Sequence, residues 1–469
     1  MVQTASRPQV RRSSLRYRLP PWPRGPKPRR RTELGLLVFA AAITVALYVV
    51  AELGAKNRIP EHLGPLLAII LGLSLVGHLA NRWLVPHANA VVLPIAALLN
   101  GIGYVVIVRW TPPAAKSQAT WAAVGMLLYV ATLVVIRHSR DLDRYRYLLL
   151  LLAGFLLVAP LLPGIGLEIG GARLWVHFGS VEFQPIEVAK VILCVFFASY
   201  FAEKKELLSI PTARIGNRLV LDPRPLVPIL VAWGIAMIII GVENDIGFAM
   251  LIFAMFIALL WVTTGRWAYI ILGILLFAAG ATVAAHLFPQ VHERVSIWLN
   301  PWASPTGSGY QLIQGTIAMA HGGIGGAGLG HDTVAGSVVY GITNDMIFAG
   351  IADEMGFIGA AAVVIAFLLL VGAGLRIAQT ARSDFSKLVA TGLTLIIGLQ
   401  AFFIMAGVLR ILPFTGITLP FVAAGGSSLV ANYVLIALLM RISEEGSSTE
   451  AEEAIGVHLP GESEFVPAN

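Results

Sequence analysis

Residues 34–54, LGLLVFAAAITVALYVVAELG, form an apolar stretch whose one charged side chain is Glu52. A helix needs roughly 20 mostly apolar residues to cross a bilayer. The chain contains about twelve such stretches, near residues 34–54, 64–82, 88–108, 119–136, 146–163, 185–202, 225–241, 246–264, 267–287, 345–375, 388–409 and 427–441. The sequence therefore predicts an all-α polytopic membrane protein with about 12 transmembrane helices.

The overall composition is that of a membrane protein. The 469 residues are 57% hydrophobic and 13% charged, whereas soluble domains average about 45–50% apolar and about 25% charged residues. The single cysteine, Cys194, falls inside a predicted span, so no internal disulfide is possible. We expect it to be a small buried residue.

The basic residues predict the orientation of the chain. The tail 1–33 holds ten of the 33 Lys and Arg residues and no cleavage site, so the first stretch is interpreted as a retained span. With this tail in the cytoplasm, the inner segments carry 25 Lys and Arg residues against eight elsewhere, as the positive-inside rule requires. The net charge of +7 is then explained by topology and anionic lipid headgroups, and nucleic acid is not an expected partner.

This orientation divides the chain into three parts. Residues 1–33 are a basic cytoplasmic tail, and residues 34–443 form the transmembrane domain with a large extracytoplasmic loop at 288–344. Residues 444–469 are rich in Glu, Gly and Ser and are predicted to be a disordered cytoplasmic tail. Most polar residues of interest fall in external segments, namely 170–190, 242–247, the large loop and 410–428.

The large loop contains GIGGAG at residues 323–328, a match to the dinucleotide fingerprint GxGxxG. That fingerprint binds a pyrophosphate only between a strand and a helix of a βαβ unit. Neither is expected in an external loop of a helical membrane protein, so we interpret the match as accidental. The glycines are expected instead to let the chain re-enter the membrane or pack closely against neighbouring helices.

Two groups of charged residues lie close to predicted spans, where a charge costs about 2.5–3.5 kcal/mol at mid-bilayer. Lys190 follows Pro185 by one helical turn and shares a face with Glu187, and Asp245 is predicted to be its counter-ion. A structural ion pair and a charged substrate cavity both stay open for this group. For Asp345, at the start of the tenth span, an N-cap and a functional role are equally open.

Five stretches, taken in order, resemble the signatures of the SEDS family of peptidoglycan polymerases. The resemblance extends from about residue 144 to 443. The stretches are GARLWVHFGSVEFQPIEVAK (171–190), NDIG (244–247), GSGYQLIQGTIAMAHGGIGGAGLG (307–330), NDMIFAGIADEMGFIG (344–359) and LPFTGITLPFVAAGGSSLVANYVLIALLMRIS (412–443). Members usually have ten spans, and the two additional N-terminal spans are similar to the RodA-like members of actinobacteria.

The resemblance implies a glycosyltransferase of the bacterial plasma membrane. It would polymerise lipid II into β-1,4 glycan strands on the outer face, for cell elongation if RodA-like or for division if FtsW-like. A class B penicillin-binding transpeptidase and membrane lipids are the implied partners. A lipid II flippase or transporter, or a scaffold that only recruits a partner, would be a different class of protein. No internal repeat of the kind common in transporters is visible.

The resemblance also implies the site residues. Asp345 aligns with the essential aspartate of the family and is predicted to be the catalytic base. The residues predicted to bind substrate are Arg173, Trp175, Glu187, Lys190, Asp245, Arg294, Arg410, Ser427 and Ser428. Secondary or structural roles are predicted for Gln184, Asp353 and Glu354. A divalent cation, Mg²⁺ or Mn²⁺, is a further possible cofactor, although the sequence shows no clustered ligand pattern for it.

Overall fold

The structure, a computed structural model, describes residues 30–56, 63–169, 172–179, 181–209, 213–215, 218–220, 224–243, 245–331, 339 and 341–454. A helix occupies each of the twelve predicted spans. In chain order the helices are α1 Arg30–Lys56, α2 Leu63–Leu84, α3 Val92–Trp110, α4 Ala114–Val135, α5 Arg140–Arg144, α6 Arg146–Val158, α7 Ile186–Ser209, α8 Val227–Val242, α9 Ile246–Thr264, α10 Trp267–Leu287, α11 Pro289–Leu299, α12 Tyr310–Gly322, α13 Ile347–Thr380, α14 Asp384–Val408 and α15 Gly426–Ala454.

Within these ranges, eight helices are long and apolar enough to cross a membrane, namely α1, α3, α4, α9, α10, α13, α14 and α15. Helices α2, α6 and α8 contain shorter apolar segments, and α7 carries Glu187 and Lys190 among its apolar residues. The helical membrane fold is confirmed, and the total of twelve crossings stays a prediction.

Two small antiparallel sheets lie between the helices and were not predicted. One has the strand order β1 Gly166–Ile169, β2 Ala172–Phe178 and β3 Val181–Phe183, and the other pairs β4 Ala213–Ile215 with β5 Arg218–Val220. The sequence signal for β2 is the alternation of polar and apolar residues in ARLWVHF. It is easily missed beside the much stronger hydropathy of the neighbouring spans.

The helices differ sharply in how much of their surface is covered by protein. In α15, 89% of the apolar segment is buried, whereas in α10 the share is 6%. Aromatic rings of α7 and α9 pack edge to face in the interior, with the centroids of Phe197 and Phe256 5.4 Å apart. An apolar helix surface without protein contacts is ordinary when it faces lipid, so α10 lies at the periphery and α15 in the core.

The two additional N-terminal helices are fixed to the bundle by buried polar side chains. Glu33 of α1 forms an ion pair with Arg30 and accepts a hydrogen bond from Asn81 Nδ2 of α2 at 3.1 Å. It also lies 3.2 Å from His78 Nδ1, and Tyr129 of α4 donates to Asn81 Oδ1. Because buried polar groups are costly without partners, this network ties α1, α2 and α4 together.

The predicted C-terminal boundary at 443 is wrong as an end of regular structure. Helix α15 continues for three further turns, to Ala454, and its first two residues past 443 are held by backbone donors. The His87 backbone N–H donates to Glu444 at 2.6 Å, and the Ser139 N–H donates to Glu445 at 2.7 Å. The remainder of both predicted tails, residues 1–29 and 455–469, lies outside the described residues.

The Glu33 network makes a testable prediction about stability. Replacing Glu33 by leucine leaves Arg30 as an uncompensated buried charge, and removing one partner of a buried pair costs about 3–5 kcal/mol. We therefore expect Glu33→Leu to lower the thermal unfolding midpoint of the purified protein markedly. The control is Arg82→Leu, an exposed position of α2. Equal midpoints for the two variants would show that the network does not hold α1 in place.

Candidate active site

Asp345 lies in a turn that directly precedes α13. The turn is closed by the N–H groups of Asn344 and Met346, which donate to the Gly341 carbonyl at 2.9 and 3.1 Å. Gly341 has a φ of +72°, and a Cβ at this position would lie 2.4 Å from Asp345 Oδ1. Position 341 therefore requires glycine for two reasons: the backbone is left-handed, and a Cβ would occupy the space of the Asp345 carboxylate.

The N-cap role considered for Asp345 is not what the structure shows. Met346 takes the N-cap position of α13, and no side chain caps that helix. The Asp345 carboxylate instead accepts a hydrogen bond from Gln311 Nε2 of α12 at 3.4 Å. The remaining interpretation is a functional one, which stays a prediction at this point.

Burial sets the protonation chemistry of Asp345. Desolvation raises the pKa of this carboxyl to about 6, while the backbone N–H of Asp345, the positive charge of Arg294, the Gln311 hydrogen bond and the backbone N–H of Met346 oppose the rise. A carboxylate with such a pKa is ionised at neutral pH yet accepts a proton far more readily than an exposed aspartate. These are the properties expected of a general base.

Arg294 of α11 carries the positive charge that interacts with this carboxylate. Its Nη1 donates to the carbonyls of Thr415 and Phe414 at 2.6 and 3.2 Å, which fixes the guanidinium against the segment between α14 and α15. Its charge interacts with both Asp345 and Asp245. One arginine therefore links two of the predicted site carboxylates electrostatically.

A cavity of about 40 Å³ lies next to the turn of Asp345, where Met346 and Gln311 form part of its wall. It is lined by Arg294, Ile297, Ser308, Gln311, Leu312, Met346 and Phe414. Ligand pockets usually measure about 300–1,000 Å³, so a disaccharide does not fit into this cavity in this state. A guanidinium and an amide donor in the wall of an otherwise apolar cavity suit an anionic group.

Asp245 is not the counter-ion of Lys190, which corrects the prediction. Its Oδ1 accepts from the Phe248 N–H at 3.0 Å and so caps the N-terminus of α9. Burial raises the pKa of Asp245 to about 6. The ion-pair partner of Lys190 is Glu187, one turn earlier on the same helix.

The Glu187 and Lys190 side chains are fully buried and link three parts of the bundle. Lys190 Nζ donates to Gln400 Oε1 of α14 at 2.7 Å, and Gln400 Nε2 donates to the Thr418 carbonyl at 2.9 Å. In this state the group acts as a structural ion pair. Substrate binding by Glu187 and Lys190 stays a prediction.

The other predicted cations do not converge on Asp345. Arg173 forms an ion pair with Glu168 at 3.0 Å across β1 and β2, with 59% of its side chain exposed. Trp175 lies two residues along the same strand and therefore on the same face. Arg410 has a φ of +58° and exchanges hydrogen bonds with Trp298 of α11, at 3.0 and 3.3 Å.

Ser427 links the start of α15 to the residue after β3, whereas Ser428 bonds within α15. Ser427 Oγ accepts from the Gln184 N–H at 2.9 Å, and Ser428 Oγ accepts from Asn432 Nδ2 at 3.3 Å. All of these side chains are buried. The secondary role predicted for Gln184 is thus a backbone link between β3 and α15, and substrate contacts of the two serines stay predictions.

Asp353 and Glu354 lie two turns beyond Asp345, next to a break in α13. Gly356 has a φ of +64° and a ψ of −167°, which interrupts the helix. Asp353 Oδ1 lies 2.8 Å from His321 Nδ1 of α12, and Glu354 Oε1 lies 3.8 Å from Arg109 Nε of α3.

The part of α13 from Gly356 to Thr380 is about 37 Å long at 1.5 Å per residue, so it spans a core of about 30 Å by itself. Asp345 therefore lies outside the segment needed to cross the membrane.

The glycine-rich loop after α12 covers this break. The Ala327 N–H donates to the Asp353 carbonyl, and the Phe357 N–H donates to the Gly323 carbonyl, both at 2.9 Å. The loop follows a helix and not a strand, so the dinucleotide interpretation is excluded and close backbone packing is confirmed.

Sequence reasoning missed Gln311 and Gly341, which define the surroundings of Asp345. Gln311 was visible only as a residue of the GSGYQLIQG stretch, and nothing in the sequence pairs it with a position 34 residues later. In the described part of the chain, no three His, Cys, Asp or Glu side chains are grouped as metal ligands. The Mg²⁺ or Mn²⁺ ion stays a prediction.

Comparison with known proteins identifies the chain. The sequence profile of the cell cycle protein family of FtsW, RodA and SpoVE matches residues 103–448. The peptidoglycan glycosyltransferase RodA of Mycobacterium tuberculosis is 36% identical over 430 residues, which cover 88% of this chain and 90% of the relative. This alignment covers a larger part of the chain than residues 103–469 do, so it includes part of the N-terminal helices that precede residue 103.

Solved structures share the fold. A chain of a peptidoglycan synthase complex that coordinates polymerization and crosslinking superposes with a TM-score of 0.63 at 24% identity, over 76% of this chain and 98% of that chain. The rod shape determining protein RodA of Thermus thermophilus gives a TM-score of 0.56 at 22% identity, over 77% and 98%. The chain belongs to the FtsW, RodA and SpoVE family of cell cycle proteins.

Proposed function

We propose that this chain is a RodA-type peptidoglycan glycosyltransferase that polymerises lipid II on the outer face of the plasma membrane, with Asp345 as its base. The activity class and the role in cell elongation follow from the mycobacterial relatives, which are named peptidoglycan glycosyltransferase RodA. The observation that carries the assignment of the site is the half-buried Asp345 carboxylate, which interacts with the charge of Arg294 and lies near a small, mostly apolar cavity that Arg294 and Gln311 line.

The reaction requires one proton transfer and one bond cleavage at the sugar. The donor is an α-linked diphosphate and the product is β-linked, so a single displacement with inversion suffices. Asp345 would take the proton of the acceptor 4-hydroxyl, whose oxygen forms the new bond to the anomeric carbon. The electron pair of the broken bond leaves with the diphosphate, which is a good leaving group and needs charge neutralisation more than a proton.

Arg294 is the residue best placed to neutralise the diphosphate. A guanidinium offers two parallel donors that match phosphate oxygens, and Arg294 faces the cavity next to Asp345. A divalent cation would serve the same purpose, and Mg²⁺ or Mn²⁺ is kept as part of the proposal. The site has to open before a disaccharide enters, because the cavity is only about 40 Å³ in this state.

The burial of Glu187 and Lys190 argues against a lipid II flippase. Transporter sites lie where both sides of the membrane gain access in turn. Here the two charges are fully buried and are bonded to α14 and to the segment that follows it. An FtsW-like division polymerase is the nearer alternative, and the likeness of the N-terminal helices to a RodA favours the elongation role.

The proposal includes a partner and an orientation. A class B penicillin-binding transpeptidase would crosslink the new strands, in line with the structural neighbour from a polymerization and crosslinking complex. Cytoplasmic termini and an extracytoplasmic Asp345 follow from the distribution of Lys and Arg residues.

The first prediction concerns Asp345 itself. Asp345→Asn keeps the shape of the side chain and removes its basicity, so glycan polymerisation should fall by at least about 100-fold, the lower range for a general base. The assay uses lipid II and the full chain co-purified with its transpeptidase, with crosslinking blocked by a β-lactam. Asp141→Asn, an exposed position, is the control. Equal polymerisation by both variants and the wild type would place the base elsewhere.

The second prediction concerns pH. Only the ionised carboxylate accepts the proton, so the rate should fall as the pH drops through about 6, the pKa of Asp345. Gln311→Leu removes a hydrogen bond that stabilises the ionised form, and this should move the acid limb of the profile to higher pH. Gln314→Leu makes the same change one turn further along α12 and should leave the limb in place. An acid limb that does not move in Gln311→Leu would contradict the assignment.

A further inference from the structure

The outer end of α1 touches the glycine-rich loop backbone to backbone. A Cβ on Gly54 would lie 2.1 Å from the Leu329 carbonyl oxygen, and a Cβ on Gly330 would lie 2.0 Å from the Ala51 carbonyl oxygen. Both distances are far below a normal contact, and neither neighbour is a side chain that can rotate away. The loop is therefore seated on one turn of α1, with glycine on both sides of the contact.

Side chains extend this contact. Leu329 packs against a small apolar cluster formed by Tyr48 and Ala51 of α1 and Val105 of α3. Arg109 of α3 donates through Nη2 to the Gly330 carbonyl at 2.9 Å. Residues Leu329 and Gly330 of the glycine-rich loop thus rest on a surface that is built in part by α1.

The same loop is bonded to the first part of α13. The Gly328 N–H donates to the Glu354 carbonyl at 3.2 Å, and a Cβ on Gly326 would lie 2.2 Å from that oxygen. Arg109 contacts both the loop and α13, since it donates to the Gly330 carbonyl and its Nε lies 3.8 Å from Glu354 Oε1. A displacement of the loop would accordingly displace the short helical stretch that begins just after Asp345.

Helix α1 is also anchored at its other end, through the Glu33 network described above. It lies entirely before residue 103, where the match to the family begins. A helix held at one end and in backbone contact at the other acts as a fixed support.

We propose that α1 positions Asp345, and that the Gly54–Leu329 contact is the point through which it does so. This inference rests on the proposed function, because it assigns a role to α1 in the reaction of the Asp345 site. Gly54 is a positioning residue and touches no reacting group. Misplacing a catalytic group by about 1 Å costs up to about 100-fold in rate, so a contact that sets this position has a large effect without binding substrate.

The test is Gly54→Ala in the full chain co-purified with its transpeptidase, with polymerisation of lipid II measured well below the unfolding temperature. The added methyl group has to push α1 and the loop apart. We expect kcat to fall at least tenfold with KM for lipid II unchanged. Gly35→Ala is the control, because a Cβ at Gly35 on the same helix meets open space, and it should behave as the wild type.

A second variant covers the case in which Gly54→Ala does not fold. Leu329→Ala removes side-chain packing against α1 without any clash, and kcat should again fall while KM stays constant. Full kcat in Leu329→Ala, or a kcat in Gly54→Ala equal to that of Gly35→Ala, would overturn the positioning role and leave the proposed function intact. Absence of polymer from the wild type would instead refute the proposed function.

Discussion

A polar group that these helices carry into an apolar surrounding is costly unless it finds a partner inside the protein. Lipid offers no hydrogen bonds, so an unsatisfied group costs several kcal/mol. The consequences recur through the fold. Glu33 collects three partners from two helices, and Lys190 is neutralised by Glu187 and bonded to Gln400. The break in α13 at Gly356 persists because the glycine-rich loop supplies backbone partners to the residues around it.

The same constraint gives Asp345 its chemistry. Its turn is compact because Gly341 leaves room for the carboxylate, and burial in this turn raises the pKa of Asp345 to about 6. The charge of Arg294, whose guanidinium is fixed by two carbonyls of the segment between α14 and α15, opposes this rise. A carboxylate of raised pKa and a nearby cation are what the proposed inverting transfer from a sugar diphosphate would need.

Hydropathy predicted the helical fold well, since each predicted span contains a helix. For Asp345, pattern alone left an N-cap and a functional role equally open, and only the resemblance to the family selected it as the predicted base. The sequence pattern did not predict which charged residues form pairs. Lys190 was assigned to Asp245, although the ion-pair partner of Lys190 is Glu187 on the same helix. The alternation in β2 was hidden by the stronger hydropathy of the neighbouring spans, and the bond of Ser139 with Glu445 in α15 is a tertiary contact that leaves no local signal.

The central claim is that a negative charge at position 345 drives polymerisation. It is tested most directly by Asp345→Cys, because the one natural cysteine, Cys194, is buried and the new thiol can be alkylated selectively. Iodoacetate then restores a carboxylate at this position, whereas iodoacetamide installs a neutral amide. The account predicts that polymerisation of lipid II is lost in the thiol form and returns after iodoacetate but not after iodoacetamide. Polymerisation by the unmodified thiol form at the wild-type rate would contradict it.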